Sequence, residues 1–134
     1  MIFRFSGWTW SDIPIHQYKD NPGSWQSVTR QVFNKDSESQ FEVRYFEVSP
    51  GGYTSFEMHG HEHMVLVLRG SGKVRLGDEW SDVGPFDAVL VLPHTPHQFV
   101  ADNDEPLGIL CVVDKNRDRP TLLRSETNSE ASNY

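Results

Sequence analysis

Turn-forming residues punctuate this chain so densely that no long helix fits between them. From Phe41 onward, Pro50-Gly51-Gly52, Gly60, Gly70-Ser71-Gly72, Gly77-Asp78, Gly84-Pro85-Phe86-Asp87, Pro93 and the polar run from Asp102 to Pro106 cut the sequence into short segments. Short β-rich runs separated by turn signals at this spacing indicate an all-β sandwich or barrel. No stretch carries a convincing helical apolar period, an internal repeat or a domain linker. The length of 134 residues suits a single domain with a core and a small cavity.

The expected strands are Phe41 to Val48, Tyr53 to His59, His63 to Leu68, Lys73 to Leu76, Glu79 to Val83, Ala88 to Leu92, His97 to Val100 and Leu107 to Val113. Ser49-Pro50-Gly51-Gly52 is expected to end the first of them in a tight turn. Gly77-Asp78 is a two-residue hairpin signal. The last run is apolar on both faces, and is expected to be buried on both. Residues 1–40 read as an N-terminal extension packing on a barrel of residues 41–114. Within the extension, the alternating Phe3, Phe5, Trp8 and Trp10 suit an edge strand with one packed face, in preference to an aromatic wall for a ligand. Asn21-Pro22-Gly23 reads as a turn, and Ser27 to Phe33 as a weak strand. Residues 115–134 have too few apolar side chains to offset the entropy of ordering, and read as a flexible tail. Within them, Pro120-Thr121-Leu122-Leu123 is the part that could dock.

The chemistry concentrates in Glu57-Met58-His59-Gly60-His61-Glu62-His63, three imidazoles and two carboxylates in seven residues. These are the usual nitrogen and oxygen ligands of divalent transition metals. Side chains alternate along a strand, so Glu57 and His59 point the same way, and His63 shares its face with Val65 and Val67. His97 follows Pro93 on a distant segment.

Two stretches together resemble the motifs of the cupin family of small β-barrels. The first is Gly51-Gly52, then Glu57-x-His59-x-His61-x-His63, then Val65-x-Val67-Leu68-x-Gly70; the second is Gly84-Pro85-x-Asp87, Pro93 and His97. The resemblance spans residues 41–113. It implies a double-stranded β-barrel, the cupin jelly roll, holding one divalent metal ion such as Fe, Mn, Ni or Zn. Counting back from Gly70, the family's pattern places ligands at Glu57, His59, His63 and His97, with glutamate in place of the usual first histidine. The competing register takes His59 and His61 as the pair. It leaves only Glu62 for the turn, so His61 ranks as the alternative ligand. Metal binding needs neutral imidazoles, so occupancy is expected to fall in mild acid.

The resemblance implies a metal-dependent enzyme acting on a small organic molecule, with dioxygenase-type oxidation as the first expectation. Isomerase or decarboxylase chemistry, or a non-catalytic sensor or structural dimer, remain open on the same scaffold. Phe99 and Val65 are expected to line a partly apolar cavity. Only one of Arg44 and Tyr45 can face it. Arg69 reads as a surface ion pair, His94 as a rim residue, His16 as a surface residue and Cys111 as a buried, inert thiol. The net charge of −7 and pI near 5.2 argue against nucleic-acid and membrane-surface partners. No apolar run approaches the roughly 20 residues of a spanning helix, and Met1 to Phe5 is too short for a secretory signal. The single cysteine excludes an internal disulfide. A cytoplasmic homodimer with a small-molecule ligand in the barrel is the expectation.

Overall fold

The longest strand, β5 (Phe41–Tyr53), organises the rest of the chain. In this computed structural model residues 1–18 and 26–124 are described, so the expected turn at Asn21-Pro22-Gly23 lies outside the described residues. β5 does not stop at Pro50-Gly51-Gly52 as its turn residues suggest. Gly51 adopts φ 73° and donates its N–H to the Asp102 carbonyl at 3.0 Å. The glycine bends the strand without ending it. The first part of β5 pairs antiparallel with β12 (Leu107–Asp114), from Phe41↔Asp114 to Val48↔Leu107. Its far end crosses to β11 (His97–Ala101), at Tyr53↔Val100.

The remaining pairings curl this antiparallel sheet. β12 is flanked on its other side by β7 (His63–Arg69), and β7 by β10 (Ala88–Val91). β11 pairs with β6 (Glu57–Met58) and with β8 (Gly72–Leu76). β8 and β9 (Glu79–Val83) form the hairpin expected at Gly77-Asp78, with Gly77 at φ 63°. β4 (Gln26–Val32) pairs with β5 and with β3 (His16–Gln17). No helix occurs among the described residues, and the fold is all-β. The segment expected as a strand from Tyr53 to His59 is extended only in part. Residues 54–56 leave the ladder, which resumes at Glu57.

Val28, Val48, Val65, Val67 and Val91 are fully buried in the interior, with Phe46, Phe99 and Ile109 beside them. Burying each such side chain contributes about 1.5–3 kcal/mol relative to exposure. β12 is buried on both faces only in its first part. Val112, at 37 % exposure, reaches the surface.

Alternation divides β5 into two faces. Glu42, Arg44 and Phe46 line an interior cavity, whereas the fully buried Tyr45 is on the other face, beneath the N-terminal extension. Trp8 stacks on Tyr45 at 6.0 Å and Trp10 meets it edge-on at 4.9 Å, while Phe33 closes on Trp10 at 5.1 Å. The aromatics are thus packing residues. They do not form one edge strand, however. Gly7 and Trp8 both adopt positive φ, 56° and 62°, which folds β1 (Phe5–Ser6) back on β2 (Thr9–Trp10) in a tight hairpin.

The expectation of a loose tail from Lys115 is corrected for its first part. β13 (Thr121–Leu122) pairs with β6, and the Leu123 N–H donates to the Phe56 carbonyl at 2.8 Å. Backbone pairing stabilises this strap despite its polar composition.

Trp10→Ala should lower stability by about 2 kcal/mol, less than the roughly 3–5 kcal/mol of a fully buried tryptophan, and leave metal stoichiometry unchanged. Denaturant unfolding with metal analysis checks this. Unchanged stability with altered metal content would contradict the packing role.

Candidate metal centre

Three imidazoles converge inside the barrel from separate segments. His63 opens β7, His97 opens β11, and His59 follows β6, which the pair His97↔Glu57 fixes against β11. His59 Nε2 is 2.7 Å from His63 Nε2 and 3.2 Å from His97 Nε2. One ligand atom from each of the three lies within 4.8 Å of the others.

The hydrogen bonds behind these rings determine what they can hold. His59 Nδ1–H donates to the His61 carbonyl at 2.7 Å, and His97 Nδ1–H to the Thr95 carbonyl at 2.8 Å. A neutral imidazole with its proton on Nδ1 presents a lone pair at Nε2. Two such lone pairs therefore face one another, with a third ring against them. Burial first, then the neighbouring histidines, lowers the pKa of His63 to about 2. Burial is also the largest cause for His59, lowered to about 4, and for His97, lowered as well. Burial keeps all three rings neutral at physiological pH, and His59 and His97 turn unprotonated nitrogens toward the meeting point. That donor set fits a divalent cation, and backbone carbonyls orient two of its ligands from behind. The low pKa values also move the expected acid sensitivity to lower pH than an ordinary imidazole gives.

Glu57 lies one step outside this cluster. Its Oε1 is 4.0 Å from His97 Nε2, and its Oε2 accepts a hydrogen bond from Ser55 Oγ at 2.7 Å. His61 stacks on His59, 3.8 Å between centroids and 8° from parallel. Its Nδ1 is 2.8 Å from Asp118 Oδ1, so it serves as a wall behind His59 and is outside the triad. Asp118 was not foreseen. Its carboxylate also accepts the backbone N–H of Gly60 at 2.8 Å and of His61 at 3.1 Å, which holds its pKa well below the usual carboxylate range. This contact ties the strap to the histidine-bearing turn.

The histidines open on a cavity of about 410 Å³ lined also by Arg44, Phe99, Ile109 and Cys111. Phe99 faces it as expected, whereas Val65 is fully buried in the surrounding core. Of the pair left open by alternation, Arg44 takes the cavity side. Cys111 pairs across the ladder with Arg44, and burial still pushes its thiol up to about 11. Arg69 makes the expected ion pair, 2.9 Å from Glu47. His94 is exposed, and its backbone N–H donates to the His59 carbonyl at 2.7 Å.

Two measurements test this geometry. An unfolded imidazole titrates near 6.5, and folded His59 near 4. Between these values the unfolded chain binds the proton and the folded chain does not, so stability falls as pH drops through that window. The thermal midpoint of metal-free protein should decline from about pH 6.5 toward 4, and a flat profile there would contradict the burial of neutral rings. His97→Ala should weaken metal binding by more than about 100-fold, beyond the roughly 10–100-fold of a change behind the ligands, whereas His61→Ala should stay within that lower range. Competition titration with a chelating dye reads both.

Comparison with known proteins agrees with the fold. A cupin-domain family profile matches residues 44–113. The chain is 41 % identical over 118 residues to 1-methylthio-D-xylulose 5-phosphate methylsulfurylase from Rhodospirillum rubrum, covering 87 % of this chain and 76 % of that protein. The crystal structure of a cupin-2 domain protein from the same organism superposes with TM-score 0.83 at 37 % identity, covering 98 % of this chain and 88 % of the other. A polyketide cyclase from Streptomyces resistomycificus superposes with TM-score 0.79 at 27 % identity, covering 100 % and 94 %. The family match, the jelly-roll strands and the convergent histidines lead to one conclusion: the chain belongs to the cupin family.

Proposed function

We propose that this chain is a metal-dependent enzyme that removes the methylthio group from a methylthio-substituted ketose phosphate. The observation that carries the reading is the set of three convergent imidazoles, two of them turning an unprotonated Nε2 inward, on the wall of a cavity large enough for a small sugar. The substrate class comes from the methylsulfurylase relative, which matches most of the chain. His59, His63 and His97 hold the cation, and Glu57 is the fourth ligand or the group that steers the open position.

A divalent cation bound here supplies Lewis acidity toward a carbonyl oxygen. In a 1-methylthio ketose the carbonyl adjoins the carbon that carries sulfur. With that carbonyl polarised by a bound cation, the carbon would leave the C–S bond with the electron pair. The sulfur is taken by a thiol co-substrate as a mixed methyl disulfide, and the thiol proton ends on carbon, giving the methyl ketone. Glu57 is placed to accept a proton in the cavity, its other oxygen being steadied by Ser55. Phe99 and Ile109 provide an apolar wall that suits the methylthio group. This reading replaces O₂ chemistry with bond cleavage next to a carbonyl, and the two are separable.

Metal-loaded protein, 1-methylthioxylulose 5-phosphate and a small thiol should yield the 1-deoxy ketose phosphate and the methyl disulfide by mass spectrometry, without oxygen uptake. Oxygen consumption coupled to an oxygenated product would contradict this reading and favour the dioxygenase. Glu57→Gln should lower kcat by about 10²–10⁴-fold if Glu57 moves the proton.

A further inference from the structure

We propose that Arg44, supported by Arg117 and the exposed Arg119, forms a subsite for a phosphate monoester in this cavity. The proposal deepens the functional reading above and rests on it for the identity of the whole substrate. Its own observation is the state of Arg44. This side chain is only 5 % exposed and lines the cavity, yet its Nε has no hydrogen-bond partner. Its nearest carboxylate, Glu42 Oε1, is 3.7 Å from Nε, beyond hydrogen-bond reach. Glu42 instead accepts a hydrogen bond from Arg117 NH2 at 3.2 Å. Arg117 and Arg44 therefore share one counterion, which bonds Arg117 directly and leaves the buried Nε of Arg44 without an acceptor.

Buried polar groups are ordinarily hydrogen-bonded, and a guanidinium with an unbonded Nε and a shared counterion, facing a cavity, is matched by a planar or tetrahedral oxyanion. The ring of Phe46, 5.0 Å from Arg44 Cζ, holds the guanidinium in place.

The charge of the whole cavity points the same way. Arg44, Lys115, Arg117 and Arg119 bring four cations to the lining of a chain with net charge −7. The carboxylates that face them are already engaged: Glu42 by Arg117, Glu57 by Ser55, and Asp118 by Gly60 and His61. With a divalent cation on the histidines, the lining is more positive still. A dianion suits this better than a neutral sugar end. Arg117 and Arg119 come from the C-terminal strap, so the strap contributes to the subsite as well as closing the barrel.

Calorimetric titration of metal-free protein with glycerol 3-phosphate reads this subsite apart from the metal centre. Saturable binding is expected, with none for glycerol, weakened about tenfold or more by Arg44→Met and roughly threefold by Arg117→Gln. Arg117→Gln alters a strap residue, so the test survives if Arg44→Met folds poorly. Absence of binding to the wild type, or equal binding by both variants, overturns the proposal. So does binding that appears only after Mn(II) loading and survives Arg44→Met, because the phosphate then sits on the metal. Turnover separates the two claims. Glycerol 3-phosphate binding that depends on Arg44, without removal of the methylthio group, upholds the subsite and sinks the proposed reaction. Turnover whose KM is unmoved by either variant upholds the reaction and sinks the subsite.

Discussion

The close approach of three imidazoles, two of them buried with unprotonated nitrogens facing each other, is the constraint on which the centre depends. Backbone carbonyls commit the protons of His59 and His97 to the outer side of their rings, so their lone pairs meet at 3.2 Å. Left alone, these groups would separate or take up protons, and burial opposes protonation. The barrel holds them through the ladder. β11 is pinned by β8 along five residue pairs, from His97↔Leu76 to Ala101↔Gly72, and β7 by β12 and β10. His63 and His97 sit on strands, which hold a site more rigidly than loops do. Folding energy thereby maintains an arrangement that a cation would relieve.

The two faces of β5 show how one strand serves stability and chemistry together. Tyr45 anchors the aromatic extension on the outside, and Arg44 and Phe46 reach into the cavity from the next positions. Gly108 illustrates the closeness of this packing. A methyl group there would overlap the Tyr45 hydroxyl and come within 2.9 Å of Arg69 Cβ. The extension covers the outer face, the strap narrows the mouth, and the barrel between them carries the histidines.

Much of this was legible because periodicity and turn chemistry are local. The hairpin at Gly77-Asp78, the strands around Val67 and Ile109, and the convergence of His59, His63 and His97 follow from alternation and motif spacing. Three features were not legible. Gly51 bends β5 instead of ending it, because the turn after β11 offers the Asp102 carbonyl. The strap from Lys115 to Leu123 looks polar and loose, yet it is held by backbone pairing and by Asp118, and composition reports neither. The unbonded Nε of Arg44 depends on Arg117 sharing Glu42 across 75 positions of sequence, a distance at which pattern carries no information. Tertiary partners decided all three.

The central claim is that a divalent cation is held by the ring nitrogens of His59, His63 and His97. X-ray absorption at the metal edge of protein loaded with one equivalent of Mn(II) or Zn(II) tests it directly. The expected spectrum shows three imidazole nitrogens at about 2.0–2.2 Å, with the multiple scattering of intact rings and one or more oxygen ligands. A shell of oxygens alone, or one imidazole among waters, would contradict the account.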